Sequence, residues 1–234
     1  MGTIFKALSA LLSYPDEALQ KAAPELRAAV DTEGLLPPEN SRALKALIEE
    51  IATGDLFATQ ERYVELFDRT RSLSLHLFEH VYGESRDRGQ AMIDLKSLYE
   101  QNGLYLSTSE LPDYLPAFLE FLSIRPLDEA REQLGQPAHI FTALAERLHK
   151  RHSPYAAAFE ALTALAALAP DAEIALVAEG DDVDPNDFAA LDAQWEEEAV
   201  TFGPGAAPTC KDRLVSQIRA GRRPAAGVPK GVAP

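Results

Sequence analysis

Residues 72–103, SLSLHLFEHVYGESRDRGQAMIDLKSLYEQNG, decide the fold class, because their apolar side chains recur mostly at helical spacing. A step of about 100° per residue along a helix places His76, Glu79 and His80 on one polar face. The opposite face is apolar and consists of Leu75, Leu77, Phe78, Val81 and Tyr82. We therefore predict an amphipathic helical stretch with internal breaks at Gly83 and Gly89, ending near Gly103 where a C-terminal cap is expected.

Helical spacing also dominates on both sides of this stretch. The segment TIFKALSALLSYP carries an apolar stripe and stops at Pro15, and the segment after it is a second helix with a kink at Pro24. Asp55 has the side chain of an N-cap for the helix that follows it. Further helices are predicted over 38–54, 112–123, 137–154 and 155–170. These patterns predict an all-α protein with a single domain of about eight or more helices over residues 1–170.

The last third of the chain has a different charge pattern. Residues 171–198 carry eleven acidic side chains and no basic one. Residues 211–234 carry six basic side chains, opposed only by Asp212, together with frequent Pro and Gly. We predict an acidic, partly helical extension over 171–210 and a basic Pro/Gly-rich tail over 211–234 with a disordered end.

Composition narrows the class of protein. The chain has 22 basic and 37 acidic residues and a formal net charge of −15, which argues against nucleic acid and anionic membranes as partners. Cys210 is the only cysteine, so this chain alone can form no disulfide and no thiolate-bound iron–sulfur site. No apolar run approaches the roughly 20 residues that span a bilayer, and the amino terminus lacks a cleavage site. These features predict a cytoplasmic protein.

The pentad HLFEH, residues 76–80, also matches a zinc peptidase pattern. Two imidazoles at i and i+4 can bind zinc from one helical face, with the glutamate as general base. A catalytic zinc needs a third protein ligand, and nothing around Glu146 or Glu160 marks either of them as that ligand. A zinc-dependent hydrolase therefore stays open as an alternative, as does a generic helical adaptor with an acidic docking face.

A longer motif surrounds the pentad. Residues 63–104, YVELFDRTRSLSLHLFEHVYGESRDRGQAMIDLKSLYEQNGL, are followed by ELPDYLPAFLEFL at 110–122 and preceded by LSYPDE near the amino terminus. Together they resemble the NarJ-type chaperones that assemble respiratory nitrate reductase, within the TorD/DmsD superfamily of redox-enzyme maturation proteins. A motif of this length identifies a protein family far more specifically than the five-residue zinc peptidase pattern does.

The resemblance implies an all-helical, cytoplasmic, non-enzymatic chaperone that needs no cofactor or metal of its own. Its client is the apo catalytic subunit of nitrate reductase, bound through an amino-terminal segment. The chaperone holds that subunit for insertion of molybdenum cofactor and an iron–sulfur cluster, before membrane docking. Molybdenum cofactor biosynthesis proteins stay open as further partners.

The motif and the residue chemistry together predict a set of client-binding residues. Carboxylates would pair with a basic amphipathic client segment, and aromatic side chains would line an apolar groove. The predicted set is Tyr63, Phe67, His76, Glu79, His80, Tyr82, Glu84, Arg86, Asp113 and Tyr114. Two alternatives stay open within this set, because Phe67 also suits the core and Arg86 also suits an internal ion pair.

Overall fold

The computed structural model describes residues 2–82, 87–107 and 110–166, and its regular structure in these ranges is helical. The α-helices are α1 (Thr3–Leu11), α2 (Glu17–Lys21), α3 (Ala23–Glu33), α4 (Pro38–Thr53), α5 (Leu56–Tyr63), α6 (Leu77–Tyr82), α7 (Asp87–Gln101), α8 (Leu115–Ser123), α9 (Leu127–Gly135), α10 (Ala138–Lys150) and α11 (Ala156–Leu165). A π-helical segment, Val64–Asp68, continues α5, and a 3₁₀ turn, Arg71–Leu73, follows it. The all-α prediction is confirmed.

The amino-terminal helix α1 lies against α3 and α8 and buries the apolar stripe predicted for it. Ile4, Leu8 and Leu11 are almost completely shielded from solvent. The Ser9 hydroxyl donates a hydrogen bond of 2.8 Å to the carbonyl of Pro116, at the start of α8. Apolar burial drives this contact, and the hydrogen bond gives a polar side chain at the interface a partner.

A second packing centre joins α10 and α11 and connects them to α4. Phe141 of α10 and Phe159 of α11 have no exposed surface, and Leu44 of α4 is equally buried. Because α11 is apolar on nearly all sides, it lies inside the molecule instead of covering its surface. The core therefore extends without interruption from the amino-terminal helices to α11.

Two helix ends follow the sequence signals. Asp55 is the N-cap of α5, and its carboxylate accepts a 2.9 Å hydrogen bond from the amide of Ala58. After α7 the chain turns at Gly103, whose φ of +83° suits a residue without a Cβ atom. The amide of Leu104 then donates to the carbonyl of Tyr99 at 3.0 Å, which satisfies a carbonyl at the end of the helix. Both predictions are confirmed.

Three predictions of local structure were wrong, and one helix was missed. The break predicted at Gly89 does not occur, because Gly89 lies inside α7. The helix predicted from residue 72 begins only at Leu77, because Leu75 and His76 pair with another segment of the chain. The second helix is not kinked at Pro24; it ends at Lys21, and Pro24 lies in the first turn of α3, where proline is tolerated. The helix α9 was not predicted, since its apolar stripe is short, with only Ala130 and Leu134 buried.

The acidic extension at 171–210 and the basic tail at 211–234 lie outside the described residues, as does Cys210. The domain bounds at residue 170 stay a prediction for the same reason. In the ranges that the structure describes, none of the helices combines the length and the hydropathy needed to cross a bilayer.

Candidate functional site

A short backbone connection joins the segment before α6 to the segment before α8. His76 and Tyr114 form an isolated antiparallel bridge. The amide of Leu77 donates to the carbonyl of Asp113 at 3.0 Å, and the amide of Leu115 donates to the carbonyl of Leu75 at 2.9 Å. We call residues 75–77 and 113–115 the clasp. Because the clasp holds His76 outside α6, His76 and His80 do not occupy the one helical face predicted for them.

The buried carboxylate of Asp113 organises the side chains around the clasp. It has no exposed surface, and it accepts hydrogen bonds from His76 Nδ1 at 3.2 Å and from the amide of Phe78 at 3.3 Å. The guanidinium of Arg88 on α7 lies 3.6 Å from its second oxygen and 3.3 Å from the carboxylate of Glu79. We call Asp113, His76, Glu79 and Arg88 the Asp113 network. Its pairing compensates the cost of placing a charge inside the protein.

The Asp113 network shifts the ionisation of its own members. The hydrogen bond to Asp113 raises the pKa of His76, and this outweighs the opposing effect of burial. Burial alone would raise the pKa of Glu79, but the hydroxyl of Ser74 and the charge of Arg88 hold that pKa below its usual range. The network therefore favours a protonated His76 beside an ionised Glu79.

His80 has a different environment from the one its pattern predicts. Only 2% of its surface is exposed, so it is not part of a solvated polar stripe. Its Nε2 donates a 2.8 Å hydrogen bond to the carbonyl of Ser74, and burial lowers the pKa of the ring. His80 is thus a neutral core histidine that fixes the turn before α6. The prediction that His80 shares one polar helical face with His76 was wrong, because His76 lies outside α6 and His80 is buried.

Two tyrosine hydroxyls link the clasp to the amino-terminal helices. The hydroxyl of Tyr63 donates to the carbonyl of Leu12 at 2.9 Å and lies 3.2 Å from the hydroxyl of Tyr114. Tyr63 also packs against Phe67, with ring centroids 5.0 Å apart, and burial raises its pKa. Tyr114 in turn stacks on the ring of His76 at 5.4 Å. An aromatic chain therefore connects the end of α1 to the Asp113 network.

The structure brings together five of the predicted residues: Tyr63, His76, Glu79, Asp113 and Tyr114. Phe67, His80 and Tyr82 lie close by and are buried, as Tyr63 and Asp113 also are. Phe67 packs against Tyr155, and Tyr82 packs against Phe78. Glu84 and Arg86 lie outside the described residues. That any of these residues contacts a client stays a prediction.

Sequence reasoning missed the role of Arg88. Its guanidinium pairs with both Glu79 and Asp113 and so joins α7 to the clasp. Ser74, which bonds both Glu79 and His80, was not singled out either. Arg88 and Glu79 are nine positions apart and Ser74 and His80 are six apart, so neither contact follows the three- or four-residue spacing of a single helix.

The zinc pattern does not have the geometry that its interpretation assumes. The ring of His76 bonds Asp113 and the ring of His80 bonds a backbone carbonyl, so the two rings engage separate partners. Across residues 2–82, 87–107 and 110–166, no group of three or more His, Cys, Asp or Glu side chains is arranged to hold a metal ion.

Comparisons with known proteins give a consistent result. The family model "Nitrate reductase delta subunit" matches residues 14–161. The chain is 46% identical over 195 residues to the nitrate reductase molybdenum cofactor assembly chaperone NarJ of Escherichia coli K12, a match that covers 83% of each chain. A second Escherichia coli K12 protein, named "Probable nitrate reductase molybdenum cofactor assembly chaperone NarW", is 38% identical over 216 residues, covering 92% of this chain and 90% of its own.

Proposed function

The chain belongs to the nitrate reductase delta subunit family, and from that premise we propose that it is an assembly chaperone for nitrate reductase. Its client is the apo form of the molybdenum-containing catalytic subunit. The chaperone binds the amino-terminal segment of that subunit in the cytoplasm and keeps it open for insertion of molybdenum cofactor and an iron–sulfur cluster. It then releases the loaded subunit for membrane docking, and it catalyses no reaction itself.

One observation carries this proposal: the 46% identity to an assembly chaperone extends over 83% of both chains. A match of 195 residues extends far beyond a single motif. The resemblance of residues 63–104 and 110–122 to NarJ-type chaperones includes the clasp and the Asp113 network.

The Asp113 network supports this function as a scaffold. Its side chains are half-buried or fully buried and are mutually paired, so they fix α6, α7 and α8 relative to one another. A client-binding surface built on fixed helices loses little conformational entropy when the client binds. His76, whose side chain is 32% exposed, is the member with the largest accessible fraction and contributes directly to that surface.

A complementation experiment tests the proposed function. A strain that lacks its own nitrate reductase chaperone is supplied with this chain, and the molybdenum content of the purified catalytic subunit is measured along with nitrate reduction. We expect both to recover together. If neither the molybdenum content nor nitrate reduction recovers although the chain is expressed and folded, an assembly role is contradicted.

A second measurement addresses the mode of binding. The chain is mixed with a synthetic peptide of about 20 residues from the amino terminus of the catalytic subunit, a length that forms about 30 Å of helix. Calorimetry should show a one-to-one complex, and a scrambled peptide of the same composition should not bind. Binding to the full-length apo subunit but not to the peptide would show that another segment of the client is recognised.

A further inference from the structure

A surface groove runs beside α5 and the π-helical segment that continues it. The groove has a volume of 310 Å³ and is lined by Tyr14, Phe57, Gln60, Glu61, Val64, Glu65 and Arg69. Three of these side chains are apolar or aromatic, and two are carboxylates one helical turn apart. We call it the α5 groove.

Two aromatic rings of the α5 groove are exposed to solvent. Phe57 is 79% exposed and Tyr14 is 51% exposed, although both are large enough to bury considerable apolar area. Phe57 stands on the outer side of α5, where its ring contributes nothing to the core. Neighbouring exposed aromatic side chains that line a concavity are typical of a surface that a partner covers.

The α5 groove is held rigidly by the elements beneath it. The amide of the Gln60 side chain donates to the carbonyl of Pro15 at 2.8 Å, and Tyr63 donates to Leu12 at 2.9 Å. These two bonds fix the loop that carries Tyr14 against α5. The ring of Tyr14 packs edge-on against Tyr63, with centroids 5.7 Å apart. Because both walls of the groove are fixed, little conformational entropy of these walls is lost when a partner binds.

The π-helical segment shapes the other end of the α5 groove. The amide of Arg69 donates to the carbonyl of Val64 at 2.9 Å, which is the i to i+5 spacing of a π-helix. Such turns are rare and occur frequently at functional sites. Here the wider turn places Val64, Glu65 and Arg69 together on the groove.

The charges of the α5 groove are available to a partner. Among the residues that the structure describes, neither Glu61 nor Glu65 forms an ion pair, and both are exposed. Two adjacent carboxylates beside aromatic rings complement a helix that carries basic side chains next to an apolar face. Arg69 adds a single positive charge, which suits the carbonyl end of such a helix.

We propose that the α5 groove is the docking surface for the amino-terminal segment of the client, bound as an amphipathic helix with basic residues along one side. This inference rests on the proposed function and adds the place and chemistry of recognition. Apolar side chains of the segment cover Phe57 and Tyr14, while its basic side chains pair with Glu61 and Glu65. The α5 groove thereby adds Tyr14, Phe57, Glu61 and Glu65 to the residues predicted from the motif.

The aromatic chain gives this surface a physical connection to the Asp113 network. Tyr14 contacts Tyr63, Tyr63 lies against Tyr114, and Tyr114 stacks on His76. Each step is a direct contact between neighbouring rings or hydroxyls. The groove and the network are therefore the outer and inner parts of one region of the molecule.

Two variants of the full chain test the proposal against the synthetic client peptide by calorimetric titration. Phe57→Ala removes an exposed anchor and should weaken binding at least about tenfold, as expected for an aromatic residue at the centre of an interface. The double variant Glu61→Lys, Glu65→Lys should weaken it by a similar factor and remove most of the salt dependence of association.

Each variant has a matched control. Tyr105→Ala removes an aromatic side chain that is 75% exposed elsewhere, and Glu132→Lys with Glu146→Lys makes the same change of charge on α9 and α10. Weakening in the groove variants alone supports the proposal. If the wild type binds the peptide and the groove variants bind equally well, the groove proposal is wrong and the chaperone function stands. If the wild type binds neither the peptide nor the full-length apo subunit, both proposals fall.

Discussion

The Asp113 network and the α5 groove both contain carboxylate side chains. Those of the network are paired with other side chains of the protein, whereas those of the groove are exposed to solvent. In the network, a carboxylate without exposed surface is bonded to His76 and Arg88. In the groove, the carboxylates of Glu61 and Glu65 are exposed, beside an aromatic ring that is 79% exposed. Paired and buried polar groups hold a fold together, whereas exposed and unpaired groups are available for binding. The two regions should therefore respond differently to substitution.

The largest expected effect is in the network. Asp113→Ala removes the acceptor of His76 and of the Phe78 amide and leaves the Arg88 guanidinium with one carboxylate fewer. Breaking a buried ion pair costs about 3 to 5 kcal/mol of unfolding free energy. Urea titration should show that loss. Glu61→Ala in the groove is the control and should change the same quantity by less than about 0.5 kcal/mol. Equal and small losses in both variants would remove the distinction between the two regions.

Two buried tyrosines, one with a bonded hydroxyl and one without, allow the same comparison with a smaller expected change in unfolding free energy. Tyr63→Phe removes the hydrogen bond to Leu12 and should lower the free energy of unfolding by about 1 kcal/mol. Tyr155 is equally buried, and in the described part of the chain its hydroxyl has no hydrogen-bond partner. Tyr155→Phe should therefore be neutral or slightly stabilising. Thermal unfolding of both variants measures the difference. A larger loss from Tyr155→Phe would contradict the bonding pattern described above.

The pH dependence of stability tests the network in another way. The pKa of His76 is raised in the folded protein, so its contribution is fully present below the unfolded pKa of about 6.5 and is lost as pH rises through the folded pKa. The stability difference between wild type and His76→Gln should thus be larger at about pH 6 than at about pH 8.5. His80, whose pKa is lowered, has the opposite effect, but it is present in both proteins and cancels. Urea titrations at the two pH values give the answer, and a difference that grows with pH would be inconsistent with the raised pKa.

The smallest expected effect on stability lies in the groove. Phe57→Ala should change the free energy of unfolding by less than about 0.5 kcal/mol, because the ring is mostly in solvent. Phe159→Ala is a useful contrast, since that ring is fully buried and its loss should cost about 3 to 5 kcal/mol. A large loss from Phe57→Ala would mean that this residue supports the fold, and its exposure could no longer be explained by binding.

Most helices could be predicted from the sequence because their apolar residues recur at local spacing. Ile4, Leu8 and Leu11 are an example, since the pattern alone places them on one buried face of α1. The helix α9 escaped prediction because two buried residues one turn apart are too weak a pattern. A helix that buries a wide apolar face is therefore easier to predict from periodicity than a helix that buries a narrow one.

The clasp was missed although the sequence contains a signal for it. Leu73, Leu75 and Leu77 alternate with polar residues, which is the two-residue period of extended chain, and all three are buried. The helical pattern that follows this short alternation is longer, so these residues were assigned to the predicted helix. The partner of this segment, at residues 113–115, could not be inferred, because the pairing of backbone groups far apart in the chain has no local signature.

The candidate site was predictable only as a set of residues. The motif contained Tyr63, His76, Glu79, Asp113 and Tyr114, which the structure does bring together. It did not distinguish buried members from exposed ones, since that depends on the pairing of residues 75–77 with residues 113–115. Phe57 and Tyr14 were not in the predicted set, because an exposed aromatic residue and a core aromatic residue look the same in a sequence.

The clasp also has a consequence for the order of folding. His76 and Asp113 are 37 positions apart, so their contact closes a long loop, and such closure costs entropy that grows slowly with the number of flexible residues. The helix α7 occupies much of that loop, and once it forms, fewer flexible residues remain between the two ends. We expect α7 to form first and the clasp to close afterwards. Pulse-labelling by hydrogen exchange during refolding would then show protected amides in α7 before the amide of Leu115.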